Sequence, residues 1–420
     1  MRKTDRKISK KEAAIAVLTG GLTAFVRREL QELVIAEGLQ ALMRMLEEDR
    51  ADLCGRAYER GRQMSAKRAG SATGELSMGG RRVQVRRPRA RDENGEVQLP
   101  TWEEFKNQDP LHERALEQMM IGVSTRKYDR SLEGIGEATK SRGTSRSAVS
   151  RRFKAMTEAQ LGELMSRDLY ELDLGVLMLD GIRIADRVLV IAIGITFEGT
   201  KHVLGLWDGA TENKVVCRAL LADLIERGVD PAKEYLFVID GSKALRSAIR
   251  DAFGERGHVQ RCQFHKLRNV LGHLPESMQH TVRNQMREAY AMATASEAKQ
   301  KLEALRSRLK EDHPSAAASL KEGLAETLTV KAYGLSAPLE RTLSTTNLIE
   351  NLNGGIRDLT RRVKRWRNGS MIRRWVGAAV VEREASFRRV RGYKSLPKLK
   401  RELRPSDSHA PSFALEAEAA

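Results

Sequence analysis

The chain has few cysteines, no long apolar run and fewer acidic than basic residues. Its 420 residues include 3 cysteines, Cys54, Cys217 and Cys262, which lie far apart. An odd, scattered set of thiols argues against a disulfide framework and indicates a reducing compartment. No stretch of about 18 apolar residues is present to span a bilayer, and the basic start at 1–11 leads into a charge-interrupted helix instead of a signal peptide. We therefore expect a soluble, cytoplasmic protein with no membrane partner.

The shortage of acidic residues leaves 74 Lys and Arg against 56 Asp and Glu, a net charge of +18. Such a charge favours a polyanion as partner, because phosphate neutralisation releases counterions. A basic protein of the ribosomal type, or one that is merely soluble, has the same composition. The length exceeds one typical domain, so we expect about two to four modules.

The first 106 residues predict a helical region and then a basic strand. In 1–70, apolar residues at three- and four-residue spacings build one helix face, which suits packing or self-association. In 71–106, Gly-rich turns surround Arg81–Arg87, whose alternation predicts a strand with an arginine face. This strand is either a basic ribbon that lies along DNA phosphates or an edge strand protected by charge.

Region 107–168 has the rhythm of short helices joined by tight turns. We expect helices at Leu111–Met120 and Ser124–Ile135, and a third that begins at Thr144–Ser145. This pattern is typical of a helix-turn-helix, in which the N-terminal residues of the last helix face base edges in the major groove. A three-helix bundle without a DNA role has the same periodicity. The residues predicted to read bases are Arg146, Ser147, Ser150 and Arg151.

From position 169 the sequence switches to strands. Three antiparallel strands, a helix and a parallel strand are expected, at Leu177–Asp180, Val188–Thr196, His202–Trp207, Asn213–Arg227 and Tyr235–Ile239, with turns at Asp180–Gly181 and Glu198–Gly199. This is the order of the ribonuclease-H-like fold. Asp180 and Asp240 each close a short apolar run before Gly, which predicts that both lie at strand ends on one open edge of a sheet. A single Asp-Gly is also a common turn, so neither residue alone defines a site.

A third carboxylate, Glu350, is expected on a helix. Three converging carboxylates suit a pair of Mg²⁺ ions, which bind carboxylate oxygens and phosphate and can clamp an in-line phosphoryl displacement. Steps of 7, 4 and 3 residues place Arg357, Arg361 and Lys364 on the same helix face as Glu350. That face could hold a DNA strand across the site, or it could carry ordinary solvated charges.

Cys262 and His265 invite a zinc hypothesis, because they stand three residues apart. A structural zinc site needs four ligands, usually two closely spaced pairs, and no second pair has suitable spacing. We therefore expect no zinc. Between the second aspartate and Glu350, region 272–340 is rich in Ala, Glu, Lys and Leu at helical spacing, which predicts an inserted all-helical subdomain.

Five motifs in order carry a family resemblance. They are Leu177–Ile182, Arg227–Val229, Val238–Gly241, Gln260–Asn269 and Thr345–Asn353. With these motifs the chain resembles the transposases of the bacterial Mutator-type insertion-sequence family. The resemblance implies a catalytic triad of Asp180, Asp240 and Glu350, two Mg²⁺ ions for which Mn²⁺ can substitute, and DNA cleavage and strand transfer at transposon ends.

The resemblance also implies a multidomain α/β organisation. A ribonuclease-H-like mixed-sheet core at 169–271 and 341–395 is interrupted by the all-α insertion, which in this family helps to hold transposon DNA, and is followed by a tail at 396–420. The helical region, the basic ribbon and the helix-turn-helix DNA-binding region precede it. Expected partners are the terminal inverted repeats, target DNA and a second copy of the chain, in a homodimer or higher oligomer associated with the nucleoid. Arg261, Cys262, His265 and Asn269 are expected to support the active site.

Two other classes of function share part of this pattern. A non-catalytic DNA-binding regulator would share the charge and the helix-turn-helix, but it has no need of acidic residues at adjoining strand ends. A nuclease or resolvase with the same core would share the carboxylates, but it would cut DNA without joining it.

Overall fold

The computed structural model describes residues 33–34, 36–57, 64–78, 81–107, 119–120, 141–143, 145–209 and 214–404. The chain is a mixture of helices and sheets and divides into two compact units, Met1–Met156 and Thr157–Ala420. Within the described ranges, no helix combines the length and the apolar composition that crossing a membrane requires.

In its described residues, the first unit contains a four-stranded sheet with a helix before it and another within it. Its elements are α1 (36–54), β1 (Lys67–Met78), β2 (Arg81–Asp92), β3 (Gly95–Val97), α2 (Pro100–Asn107) and β4 (Ser141–Gly143). β2 pairs antiparallel with β1 on one side and with β3 and β4 on the other. The edge-strand interpretation of Arg81–Arg87 is therefore wrong for residues 81–83, which also pair with β4, whereas residues 84–87 pair only with β1 among the described residues. Val83 and Val85 of β2 are buried in one core with Leu42 and Leu46 of α1.

Part of the arginine face of β2 is used inside this unit. Arg87 and Arg89 pair with Glu96 at 2.8 and 2.6 Å. The Arg87 guanidinium also lies 5.0 Å from the ring centre of Trp102. Arg86 is exposed and bonds only to the Ser71 hydroxyl among described residues. The predicted phosphate-binding ribbon therefore retains only some of its cations.

Helix α3 (Arg146–Ser166) corresponds to the third helix of the predicted helix-turn-helix. The Ser145 hydroxyl accepts a hydrogen bond from the Ala148 N–H and caps its start. The predicted helix Ser124–Ile135 lies outside the described residues, as does all of Leu111–Met120 except its last two positions.

The second unit is built on a five-stranded mixed sheet. Its strands are β5 (Leu174–Ile184), β6 (Arg187–Thr196), β7 (Lys201–Gly209), β8 (Tyr235–Ile239) and β9 (Gly257–Arg261), in the spatial order β7-β6-β5-β8-β9. β5, β6 and β7 form an antiparallel meander, whereas β8 and β9 run parallel to β5. All five residues of β8 are buried, as expected of a central parallel strand that is covered on both faces.

Helices cover both faces of this sheet. On one face, α4 (Lys214–Glu226) and α5 (Lys243–Phe253) bury Leu220, Leu224 and Ile249 against Phe237 of β8. On the other face, α12 (Asn347–Thr360) contacts β5, and α13 (Gly369–Glu384) contacts β6 and β7.

Between β9 and α12 the chain is helical and has its own core. The elements are α6 (Gln263–Leu271), α7 (Glu276–Tyr290), α8 (Ala295–Asp312), α9 (Pro314–Lys321), α10 (Thr329–Ala332) and α11 (Ala337–Leu343). Val270, Met286, Leu302 and Leu320 pack into an apolar cluster that is distinct from the one under the sheet. A reciprocal cap between Thr294 and Glu297 begins α8.

The last described helix, α14 (Leu396–Leu403), ends against the start of β5. Arg404 donates to the Leu174 carbonyl and pairs with Asp173 at 2.7 Å. The first nine residues of the expected tail, 396–404, are therefore part of the folded unit.

Candidate active site

The pairing of β5 with β8 brings two aspartates side by side. The parallel ladder ends at Leu179 and Ile239, so the next residue on each strand is Asp180 or Asp240. Asp240 follows the end of β8, where it was expected, and its Oδ1 accepts the Ser242 N–H at 2.9 Å.

Asp180 lies inside its strand and not at the end. Gly181 and Ile182 continue to pair with β6, and the strand stops only at Ile184. The expected turn at Asp180–Gly181 is wrong, because buried Ile182 and Ile184 extend the apolar alternation to a two-residue turn at Ala185–Asp186. The turn at Glu198–Gly199 is confirmed.

Helix α12 brings Glu350 to the same place. Glu350 lies in the first turn of α12, and Asn353 follows one helical turn later. The Asn353 Nδ2 donates a hydrogen bond to Asp180 Oδ2 at 2.9 Å, which joins the helix to the strand. Residues three apart share a helix face, so Glu350 points to the same side as Asn353.

Burial, the charge of Asp240 and, to a smaller extent, that of Glu350 raise the pKa of Asp180 to about 7. A hydrogen bond from the Gly181 N–H and the charge of His265 act in the opposite direction without cancelling this rise. Carboxylates that hinder one another's ionisation are suited to a divalent cation, since Mg²⁺ binds negatively charged oxygen ligands. Asp180, Asp240 and Glu350 therefore offer the kind of oxygen ligands that the expected magnesium site needs.

A polar network holds the Glu350 carboxylate. The Thr346 hydroxyl donates to Glu350 Oε1 at 2.6 Å, and His265 Nδ1 lies 3.6 Å from the same oxygen. Nδ1 is also 3.3 Å from the Thr346 hydroxyl oxygen, and Cys262 Sγ accepts the Thr346 backbone N–H at 3.4 Å. Because a hydroxyl has one proton, we assign it to the shorter bond, which leaves Thr346 Oγ1 to accept from His265.

Cys262 and His265 favour each other's charged forms. The hydrogen bond with Cys262 raises the pKa of His265 to about 9 against the effect of burial, and the charges of Glu350 and Asp240 act in the same direction. Burial alone would raise the pKa of the Cys262 thiol, but hydrogen bonds from His265 and Thr346 outweigh it and lower that pKa. At neutral pH a charged imidazolium therefore lies beside Glu350.

The same three side chains could be considered as zinc ligands. The ligand atoms of Cys262, His265 and Glu350 lie within 4.8 Å of one another. A structural zinc site has four protein ligands, and no fourth His, Cys, Asp or Glu joins this group in the part of the chain that the structure describes. An imidazolium also has no free lone pair, so a metal would have to displace its proton.

The cations around Cys262 differ in their availability. Arg261 is buried and pairs with Glu326 at 2.7 Å, and the ammonium of Lys266 donates to the carbonyls of Ser319 and Glu322. Both side chains are therefore engaged within the protein. Arg261 instead lies beneath Gly241, next to Asp240. Asn269 is exposed on α6.

The cations that follow Glu350 are only partly on a helix. Arg357 lies on α12, Arg361 is its C-cap, and Lys364 lies in the non-helical segment that follows. The prediction of one continuous helix through Lys364 is therefore wrong. A helical continuation would have placed Arg361 one turn from Lys364 and Arg365, and like charges at that spacing are destabilising. Arg357, Arg361 and Lys364 are all exposed.

The four predicted base-reading residues occupy the start of α3. Arg146, Ser147, Ser150 and Arg151 are exposed, while Val149 and Phe153 on the same helix are buried. The helix therefore presents a polar face at its N-terminal end.

Thr346 and Asn353 are site residues that the sequence analysis did not select. Both fall within the quoted motif Thr345–Asn353, four residues before and three after Glu350. Because residues three or four apart share a helix face, these spacings could have identified Thr346 and Asn353 as neighbours of Glu350. Buried Asn353 also has an Oδ1 without a hydrogen-bond partner among the described residues.

Known proteins resemble the chain over most of its length. The family model described as Transposase, Mutator family, matches residues 22–390. The transposase for insertion sequence element IS256 in transposon Tn4001 of Staphylococcus aureus is 28% identical over 340 residues, which cover 77% of this chain and 83% of that protein. The transposase for IS406 of Burkholderia multivorans is 31% identical over 64% of this chain and 69% of its own length.

A third relative matches a shorter region. The transposase for IST2 of Acidithiobacillus ferrooxidans is 32% identical over 176 residues, which cover 42% of this chain and 58% of that protein. The family model covers well over half of the sequence, including both strand aspartates and Glu350. The chain belongs to the Mutator family of transposases.

Proposed function

We propose that the chain is the transposase of an insertion sequence, which binds the ends of its element and catalyses Mg²⁺-dependent DNA cleavage and strand transfer. Membership of the Mutator family supports an enzyme that acts on DNA, as do relatives named as transposases for insertion sequence elements. The antiparallel β5–β7 meander continued by parallel β8 and β9 supports a ribonuclease-H-like core.

The convergence of Asp180, Asp240 and Glu350 is the observation that carries this proposal. The strand register puts Asp180 beside Asp240, and the bond from Asn353 fixes the helix of Glu350 against Asp180. A regulator that only binds DNA gains nothing from collecting mutually repelling carboxylates in a partly buried site.

The protein's own residues prepare the site for phosphoryl transfer. In the proposed site Asp180, Asp240 and Glu350 would together hold two Mg²⁺ ions, for which Mn²⁺ could substitute. When bound, these ions would supply Lewis acids for the attacking water or 3′-hydroxyl and for the departing oxygen. Asn353 orients Asp180, and Thr346 and His265 orient Glu350, so the carboxylates need little rearrangement during the reaction.

Cys262 and His265 are proposed to position Glu350, and not to bind zinc. Elemental analysis of the purified protein should then find no stoichiometric zinc. One equivalent of zinc that disappears in Cys262→Ser would refute this assignment.

Contacts to DNA are proposed at two sets of exposed residues. Arg146, Ser147, Ser150 and Arg151 would read the terminal inverted repeats, and Arg357, Arg361 and Lys364 would hold phosphates near the carboxylates. The enzyme would act as a homodimer or higher homo-oligomer on its element ends and on target DNA.

A strand-transfer assay tests the function directly. The substrate is duplex DNA from the ends that flank the gene, either intact or pre-cut, together with a circular target and Mg²⁺. We expect wild-type protein to cut and join, whereas Asp180→Asn, Asp240→Asn and Glu350→Gln should bind the ends but do neither. Glu226→Gln, which changes an exposed carboxylate at the end of α4, is the matched control and should retain activity.

The alternatives give different results in the same assay. Cutting without joining of pre-cut ends would indicate a nuclease or resolvase. End binding without any Mg²⁺-dependent cutting would indicate a regulator. Strand transfer by Asp180→Asn would reject the catalytic assignment.

A further inference from the structure

Phe264 is a large apolar side chain exposed beside the candidate active site. It is the second residue of α6 and remains 51% exposed. Its ring meets the ring of His265 edge-on, with centres 6.2 Å apart, and His265 contacts Glu350. A single exposed phenylalanine is common on protein surfaces, so its surroundings decide whether it has a role.

Two grooves meet at Phe264. One has a volume of about 550 Å³ and is walled by Tyr290, Met292 and Leu335. The other has a volume of about 310 Å³ and is walled by Leu271 and Gln279. Phe264, Leu267 and Arg287 line both grooves. Phe264 therefore stands on a ridge between two partly apolar depressions, where a flat ligand can reach the ring.

The rims of these grooves carry uncompensated positive charge. Four arginines line them, namely Arg268, Arg283, Arg287 and Arg341. No hydrogen bond or ion pair joins any of the four guanidinium groups to another residue in the described ranges. The acidic residue of the larger groove, Glu340, is neutralised by Lys331 at 2.6 Å. Free guanidinium groups around an apolar floor suit a ligand that has both phosphates and flat rings.

An aromatic ring flanked by cations is the usual surface for unpaired nucleic acid, because every base can stack on it. A base inside a duplex has both faces covered by its neighbours and cannot offer one to Phe264. The backbone of α6 is also tied to the segment that leads to Glu350, since the Gln263 N–H donates to the Ser344 carbonyl at 3.0 Å. A nucleotide on Phe264 would therefore lie close to the carboxylates.

We propose that Phe264 is a stacking surface for an unpaired base of the element end next to the cleaved phosphate, with Arg268, Arg283, Arg287 and Arg341 holding the backbone on either side. This inference rests on the proposed transposase function. The proposal adds that the enzyme opens the duplex at the cleavage position. The helical region between β9 and α12, which includes Phe264, would stabilise the opened form.

Binding measured without cleavage tests the proposal. Full-length protein in EDTA is titrated with two labelled end duplexes, one fully paired and one with a short unpaired thymidine segment at the cleavage position. Wild-type protein should prefer the unpaired form. Phe264→Ala should reduce affinity for that form about 5- to 150-fold, as expected from base–aromatic stacking, with little effect on the paired form.

Four variants make the result specific. Phe264→Trp should keep the preference, whereas Phe264→Leu should lose it, because an apolar side chain without a ring cannot stack. Tyr170→Ala removes another aromatic, 74% exposed, and should change neither affinity. Arg287→Gln should weaken both complexes and reduce the salt dependence of log affinity by about one unit.

Other outcomes would overturn the proposal. Equal affinity of the wild-type protein for the two duplexes would reject the stacking surface and leave the transposase assignment intact. If the wild-type protein bound neither end duplex, both the stacking surface and the proposed transposase function would be rejected. An equal loss on both duplexes in Phe264→Ala, together with a smaller oligomer in light scattering, would make this ridge a contact between copies of the chain.

Discussion

Asn353 on α12 donates a hydrogen bond to Asp180 on β5, and this contact joins residues 173 positions apart in the chain. The donor side chain is 2% exposed, so the bond is shielded from water. Its position makes Asn353 a positioning residue for Asp180 and, through the helix, for Glu350.

Replacing Asn353 by Ala should therefore impair cleavage more than binding. Loss of a group that orients a metal-binding carboxylate typically costs about 10- to 100-fold in activity or metal affinity. Single-turnover cleavage and gel-shift binding of the same end DNA separate the two effects. Asn351→Ala changes an exposed asparagine on the same helix and should behave as wild type. Equal cleavage rates for both variants would show that Asn353 has no such role.

The contribution of Asp180 to the stability of the metal-free protein should fall as the pH rises towards 7. Asp180 has a pKa of about 7 in the folded chain, against 3.8 for an unperturbed aspartate, so between these values the folded state binds more protons than the unfolded one. The stabilising contribution is complete below about pH 4 and is lost as the pH rises through 7.

Urea unfolding of wild-type and Asp180→Asn protein between pH 5 and pH 8 measures this contribution, since the variant has no proton to lose at this position. The variant should gain stability relative to wild type as the pH rises. Asp358→Asn, at an exposed position of α12, should instead follow the wild-type curve. A constant difference between wild type and Asp180→Asn would contradict the raised pKa.

Thr346→Val should reduce cleavage because valine has the same shape but cannot donate to Glu350 Oε1. The expected loss is again about 10- to 100-fold, the range for groups that orient metal ligands. Thr346→Ser keeps the hydroxyl and should restore most of the rate. If valine and serine variants cleave equally well, the hydroxyl does not position Glu350.

Arg151→Ala should weaken binding to the element ends about 5- to 150-fold if Arg151 reads a base, which corresponds to 1–3 kcal/mol for a bidentate contact. Competition between end DNA and unrelated DNA in a gel shift shows whether the loss is specific. Lys154→Ala removes a charge one turn further along the same helix. It should weaken binding to end DNA and to unrelated DNA by the same factor. If Arg151→Ala weakened binding to end DNA and unrelated DNA equally, Arg151 would contact phosphate and would not read a base.

The sequence predicted the core best where the local apolar pattern of a segment matches its burial in the structure. The strand Tyr235–Ile239 was predicted with the bounds that the structure gives, because a short, entirely apolar run closed by Asp-Gly is typical of a buried strand. The neighbouring positions of Asp180 and Asp240 followed from the order of the elements. The helical nature of 272–340 was likewise readable from its composition.

Other features depended on contacts that local pattern does not contain. The extension of β5 beyond Asp180 depends on pairing with β6, and the end of α12 at Thr360 leaves Lys364 outside the helix. The roles of Thr346 and Asn353 required partners about 80 and 170 residues away, at Cys262 and Asp180. Arg261 and Lys266 look like free cations in the sequence, but Glu326 and main-chain carbonyls from the helical region occupy them.

The separate apolar core between β9 and α12 affects when the enzyme becomes competent during synthesis. The two aspartates leave the ribosome early, but Glu350 can reach them only after the whole intervening helical region has been made and packed. If Glu350 completes the proposed active site, a nascent or prematurely terminated chain that stops before α12 would carry the sheet and only two of the three proposed carboxylates, and it should not cut DNA.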